Sequence, residues 1–200
     1  PKPRYAVNYW KAHNFIPPPV NVLDIIQVRA HRYYAGEAKR PIGHIIAGDS
    51  RQRNMYPRTI KGAVRWVITS PPYYGLNTYL PDQWLRSWFL GGPPQVVYST
   101  EGQISHAGPE TFAQQLQTVW ENVGAMCALG ARMVVRFGAI NDRKVDAIQL
   151  LRNSLLDSGW EITDIQSAGT ASRGRRQALH FSPSDKGAIE EFDVWGIWQG

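Results

Sequence analysis

From residue 43 onward, short apolar runs rich in β-branched residues alternate with longer stretches whose apolar residues recur at spacings of three and four. Nothing else in the chain constrains its fold as strongly, because strands separated by helical crossovers build a largely parallel sheet with helices packed on it. "GHIIAGDS" (43 to 50) and "AVRWVITS" (63 to 70) read as buried strands, the first closed by Gly-Asp-Ser and the second by two prolines. "GPETFAQQLQTVWENVGAMCALG" places Phe112, Leu116, Val119, Val123 and Cys127 on one side of a helix, with Pro109 and Glu110 suited to its first turn and Gly130 to its stop. "ARMVVRFG" is a strand, and "NDRKVDAIQLLRNSLLDSG" a helix with Val145, Ile148, Leu151 and Leu155 inward, Asp142 as N-cap and Gly159 past its end. "WEITDIQSAG" and "EFDVWGIWQ" complete the set as strands. The expected class is α/β.

Two regions depart from this rhythm. Residues 1 to 42 contain "FIPPPV", which breaks any helix, and "NVLDIIQVRAHRYYAG", which reads as one helix after an incoming connection. The stretch from 75 to 108 is a long insertion loop, with "DQWLRSWFL" able to form two helical turns inside it. Open α/β sheets place their sites in long excursions at the carboxyl ends of strands. Residues 43 to 200 therefore form the expected functional region, in a chain of 200 residues with 43% hydrophobic content, enough for a real core.

Composition removes several function classes. No apolar run approaches the roughly 18 to 20 residues of a membrane helix, and "PKPRYAVNYW" lacks the apolar centre of a signal peptide, so a cytoplasmic protein is expected. A single cysteine, Cys127, excludes an intrachain disulfide and a zinc site built on several thiolates. His106 has no Cys or His at ligand spacing, so no metal site is expected. The formal net charge of +6 favours a polyanionic partner.

The strand ending "VITSPPYYG" carries the chemistry. Prolines lack N–H donors and fix φ, so the backbone of Pro71 and Pro72 is stiff and its carbonyls are acceptors without competing donors nearby. The Ser70 oxygen and the Pro71 carbonyl can together accept both hydrogens of a planar amino group while the Tyr73 ring lies against the heterocycle that carries it. That is a grip on the exocyclic amine of cytosine or adenine. The competing reading is a plain strand stop followed by a proline turn.

With "IIAGDSR" about twenty residues earlier, this segment resembles the S-adenosylmethionine-dependent amino-group DNA methyltransferases, whose motif is Ser, Asn or Asp, then Pro-Pro, then Tyr, Phe or Trp. The resemblance covers roughly residues 43 to 199. It implies a Rossmann-like methyltransferase fold with a mostly parallel sheet, a catalytic grip made by Ser70, Pro71, Pro72 and Tyr73, and cofactor contacts from Asp49, Ser50 and Ser70. It implies DNA as partner, a base flipped from the duplex, and a place in a bacterial restriction-modification system. A serine in first position leans toward cytosine N4, with adenine N6 and RNA as the alternatives. The family's glycine-rich cofactor turn is not found in these residues. It lies elsewhere in a longer polypeptide or on a second subunit, or else the chain is a catalytically silent nucleic-acid-binding relative.

Other residues carry paired readings. Tyr74 and Tyr79 either stack on nucleic acid or line the fold. Arg173, Arg175 and Arg176, in "ASRGRRQALHF", either contact phosphate or guanine or form a solvated basic loop. Trp84, Trp88 and Phe89 are expected to pack their own loop. Cys127, without the Pro-Cys setting of a cytosine C5 nucleophile, is expected in the core.

Overall fold

The computed structural model describes residues 3–36, 42–76, 79–138, 145–170 and 190–200. The chain divides into two units, Pro1–Ala47 and Gly48–Gly200. The first holds α1 (Pro3–Ala12) and α2 (Val22–Tyr34). The Asn21 side chain caps α2 by accepting from Leu23 N, while residues 15 to 20, with their three prolines, have no helix. Where sequence reasoning expects a connection plus one helix, there are two helices: Pro3 sits in the first turn of α1, where a missing N–H costs nothing. Neither helix buries a residue.

The expected strand over 43 to 50 is not formed. Residues 42 to 47 have no regular structure, and Ile45 and Ile46 are exposed. An isolated extended run leaves its backbone groups to water, and no described strand pairs with this one. The boundary between the units falls inside it.

In the second unit, two single-turn 3-10 helices, Arg53–Met55 and Arg58–Ile60, lead into β1 (Val64–Thr69). There follow α3 (Tyr79–Phe89), α4 (Pro109–Gly124), β2 (Cys127–Gly138), α5 (Ala147–Leu155), β3 (Trp160–Thr170) and β4 (Glu190–Trp198). The strands form a mixed sheet in the order β1-β2-β4-β3. β1 and β2 are parallel, with Trp66 opposite Arg132 and Thr69 opposite Val135. β4 lies antiparallel between β2 and β3. The expectation of a largely parallel sheet holds for the direction of β1, β2 and β3 and fails for β4. β4 runs antiparallel to both of its neighbours, β2 and β3, which makes the sheet mixed.

α4 and α5 cover one face of the sheet. Phe112, Leu116 and Trp120 of α4 and Leu151 and Leu155 of α5 are buried with Met133, Val135 and Phe137 of β2. The alternate residues of the first two strands point to the other face, where Trp66, Ile68 and Arg132 are exposed. Trp120 Nε1 donates to Ser154 Oγ at 3.0 Å, so the core's largest side chain buries no unmet donor.

Three boundaries differ from the sequence reading. α4 ends at Gly124 rather than near Gly130, because Val64 N donates to Met126 O at 3.1 Å and the ladder with β1 claims Cys127. Cys127 is consequently the buried first residue of β2 and not part of a helix face. α5 starts at Ala147 with Asp146 as its cap, accepting from Ile148 N at 2.9 Å and Gln149 N at 3.0 Å; Asp142 lies outside the described residues. Gly159 takes φ +82°, a turn that only glycine enters freely, and β3 follows at once. Among the described residues no helix is long and apolar enough to cross a membrane.

Candidate functional site

The parallel pairing of β1 with β2 ends at Thr69 and Val135, so Ser70, Pro71 and Pro72 emerge from the carboxyl end of an edge strand. Ser70 is exposed, and Pro71, Pro72 and Tyr73 are half-buried. A turn then closes from Tyr73 to Leu76, with Leu76 N donating to Tyr73 O at 3.0 Å and Gly75 at φ +91°. This turn sends the two tyrosines to opposite supports.

Tyr73 goes to the sheet. Its hydroxyl donates to Glu191 Oε1 at 2.8 Å, and its ring meets Phe137 edge-on at 5.6 Å between centroids. Gly138 leaves the space for it: a Cβ there would stand 3.3 Å from the Tyr73 ring and as close to the Glu190 carbonyl. The ends of β2 and β4 are themselves tied by a bidentate pair, Arg136 Nε to Asp193 Oδ1 at 2.8 Å and Nη2 to Oδ2 at 2.7 Å. The guanidinium holds the Asp193 carboxyl below its usual range.

Tyr74, expected as a nucleic-acid contact, is a core residue instead. It is 9% exposed and packs edge-on against Phe112 at 5.4 Å, with His106 beside both. A ring enclosed in this way supports the turn and has no face left for a base. His106 Nδ1 accepts from Gly75 N at 3.0 Å, so the neutral imidazole carries its proton on Nε2.

The Asp49 segment is fixed by α4. The Arg51 side chain grips Asp49 through Nε (2.9 Å to Oδ1) and Nη2 (2.7 Å to Oδ2), and Arg51 N adds a third donor to Oδ1 at 3.0 Å. These bonds, led by the side-chain one, hold the Asp49 carboxyl below its ordinary value. Arg51 Nη1 continues to the Gln103 carbonyl at 3.2 Å and to Gln115 Oε1 at 2.9 Å, and the same Gln115 oxygen accepts from Ser105 N at 2.7 Å. Asn122, buried on α4, donates to the carbonyls of Ser50 (3.2 Å) and Arg51 (2.9 Å). A continuous path therefore runs from Asp49 through Arg51 and residues 103 to 106 to the turn after Tyr73.

Ser70, Pro71, Pro72, Tyr73, Asp49 and Ser50 stand out in the sequence as site candidates, whereas the residues that hold their segments in place, Glu191, His106, Gln115 and Asn122, do not. A signal existed for the last two, since Gln115 and Asn122 lie seven apart on α4, polar positions next to its apolar stripe. Arg173, Arg175 and Arg176 lie outside the described residues, as does the Tyr79 side chain. Trp84 is half-buried and packs its own loop as expected, donating Nε1 to the Pro93 carbonyl at 3.1 Å, whereas Trp88 and Phe89 meet edge-on but stay exposed, at 45% and 76%, so the expected packing does not extend to them. Burial pushes the Cys127 thiol up to about 11, which keeps it protonated and unreactive at neutral pH.

No family model matches the chain, and no curated protein matches it. Among solved structures it is similar to a candidate DNA modification methylase from Thermus thermophilus, at 17% identity and a TM-score of 0.43, over 76% of this chain and 51% of that one. The same protein complexed with S-adenosyl-L-methionine gives 16% identity and a TM-score of 0.42, over 77% and 54%. A 16S rRNA (adenine(1408)-N(1))-methyltransferase from Catenulisporales acidiphilia gives 14% identity and a TM-score of 0.36, over 76% and 60%. The chain thus spans about half the length of the Thermus protein, 51% in one comparison.

Proposed function

We propose that this chain is the base-gripping part of an S-adenosylmethionine-dependent methyltransferase that modifies the exocyclic amine of a base in DNA, cytosine N4 first. The observation that carries the reading is the rigid Ser70-Pro71-Pro72 segment leaving the carboxyl end of β1, followed by a Tyr73 ring held by Glu191 and Phe137.

The cofactor, when bound, supplies an electrophilic methyl group on a sulfonium. The chain's own residues act on the other reactant. An exocyclic amine is a poor nucleophile because its lone pair is delocalised into the ring. Acceptors at Ser70 Oγ and the Pro71 carbonyl draw on both amine hydrogens, raise the electron density on nitrogen and fix its direction. Tyr73 offers its ring to the base, and two distant tethers hold the turn that carries it, so little ordering remains for binding to bring about. In a duplex the amine is paired and stacked, so the base is taken out of the stack.

Asp49, Ser50 and Ser70 are the residues assigned to the cofactor. The Asp49 carboxylate accepts four bonds from three donors of Arg51, and its side chain remains 24% exposed, so one edge stays open to a ligand hydroxyl. The remaining wall, including a glycine-rich turn, comes from another part of the natural polypeptide or from a second subunit. A cytoplasmic location within a modification system belongs to the same proposal.

The test is nucleoside analysis of unmodified DNA and RNA after incubation of the full natural polypeptide with S-adenosylmethionine. N4-methylcytosine in DNA is the expected product. N6-methyladenine would move the target and keep the grip, and methylation confined to RNA would overturn the choice of substrate.

A further inference from the structure

Between the Asp49 segment and β1 the chain reads "RQRNMYPRTIKGAVR", in which Arg51, Arg53, Arg58, Lys61 and Arg65 meet no acidic residue in sequence. Arg51 is spent on Asp49. Arg53, Arg58 and Lys61 instead line one cleft of about 760 Å³, whose floor includes Tyr56 and Met126. None of its lining residues is a carboxylate, and the Asp49 carboxylate, whose charge acts on the lining residue Tyr56, is itself paired with Arg51.

The cations are presented by a fixed scaffold. Tyr56 N donates to Arg53 O at 3.3 Å and Lys61 N to Arg58 O at 3.2 Å, closing the two 3-10 turns on either side of Pro57. The Tyr56 hydroxyl donates to the Ser50 carbonyl at 2.9 Å, and Asn122 of α4 holds the same carbonyl, so the turns are anchored to the helix layer. Three like charges facing one concavity repel one another until an anion enters it, and the arrangement favours a ligand with several negative charges. The cleft adjoins the start of β1, since Ala63 N donates to Ile60 O at 3.0 Å, whereas Ser70 follows the strand's other end. The strand alone separates them by roughly 20 Å, which no mononucleotide spans.

We propose that the cleft of Arg53, Arg58 and Lys61 is a phosphate-binding site that takes the backbone of a nucleic acid away from the target base. The inference rests on the nucleic-acid reading given above for the source of the phosphates. Such contacts position a duplex without reading its sequence, and each one releases counterions.

The experiment measures affinity of the full chain for a labelled DNA duplex from low to moderate salt, without methyl donor, for the parent and for Arg53→Gln/Arg58→Gln/Lys61→Gln. All three positions are exposed, and circular dichroism verifies that the variant folds. The slope of log K against log salt should become shallower by about 2 to 3, at roughly 0.9 per lost phosphate contact. A control pair on exposed helical positions, Arg86→Gln/Arg152→Gln, should keep the parent slope. An unchanged slope in the triple variant overturns the site while leaving the catalytic reading standing. Loss of inorganic phosphate binding with an unchanged duplex slope assigns the cleft to a free anion and overturns the backbone as its ligand. A parent that binds no nucleic acid overturns both this site and the function on which it rests.

Discussion

Tyr73 and Glu191, 118 positions apart in sequence, meet through a hydrogen bond of 2.8 Å that ties the candidate base-stacking ring to the start of β4. The bond turns a ring on a loop into a ring on the sheet. Glu191→Ala should lower methyl transfer by about fivefold, the equivalent of one hydrogen bond of about 1 kcal/mol, with nucleic-acid affinity little changed. Tyr73→Phe should lose about as much and no more when combined with it. Glu191→Gln, which keeps an acceptor oxygen, should restore most of the rate. Single-turnover rates of the four variants check this, and additive losses in the double variant would count against the coupling.

The Asp49–Arg51 pair should give a pH-dependent contribution to stability. Asp49 has its folded-state pKa lowered, first by the Arg51 side-chain bond, so its contribution is present above the unfolded carboxylate value and is lost as pH falls through the folded one. Because the pair is partly exposed, the size should be at most about 1 kcal/mol. Urea unfolding of parent and Asp49→Asn at stepped pH should show a gap near neutrality that closes below about pH 4.

Much of this architecture is legible from side-chain periodicity, and the exceptions have physical causes. β1, β3, α2 and the start of α4 follow from β-branched apolar runs, helical spacing and Pro109, although β1 is not the buried strand its composition suggests, since Trp66 and Ile68 are exposed. The failed strand at 43 to 50 has the apolar content of a strand and no neighbour to pair with, which local pattern cannot reveal. The antiparallel placement of β4 is a matter of its partners, β2 and β3, and is not written in "EFDVWGIW" itself. At the site, Ser70 to Tyr73 stand out as a motif, whereas Glu191 and His106 become visible only when distant segments meet. Tyr74 differs from Tyr73 by one position, and a single turn sends it into the core.

Ser154→Ala should destabilise the second unit by about 1 to 3 kcal/mol, since it removes the partner of the buried Trp120 Nε1. Ser154 is fully buried, so water cannot replace the hydroxyl without a cavity large enough to admit it. The urea midpoint should fall at an unchanged m-value. An unaltered midpoint would show that this bond adds nothing to the core.

Cys127 should behave as packing and not as chemistry. Its thiol titrates near 11 because of burial, so at pH 8 it is neutral. A thiol reagent should label the native chain slowly and the unfolded chain at once, and Cys127→Ala should keep full methyl transfer. Loss of transfer in that variant, with the fold intact, would point to a covalent cysteine mechanism.

The most direct test of the central claim is transfer of labelled methyl groups from S-adenosylmethionine to DNA by the full natural polypeptide carrying Ser70→Ala/Tyr73→Ala, with DNA affinity measured on the same preparation. The grip described for Ser70, Pro71 and Tyr73 predicts that transfer is abolished while affinity stays within a few-fold of the parent. Transfer at the parental rate would contradict it.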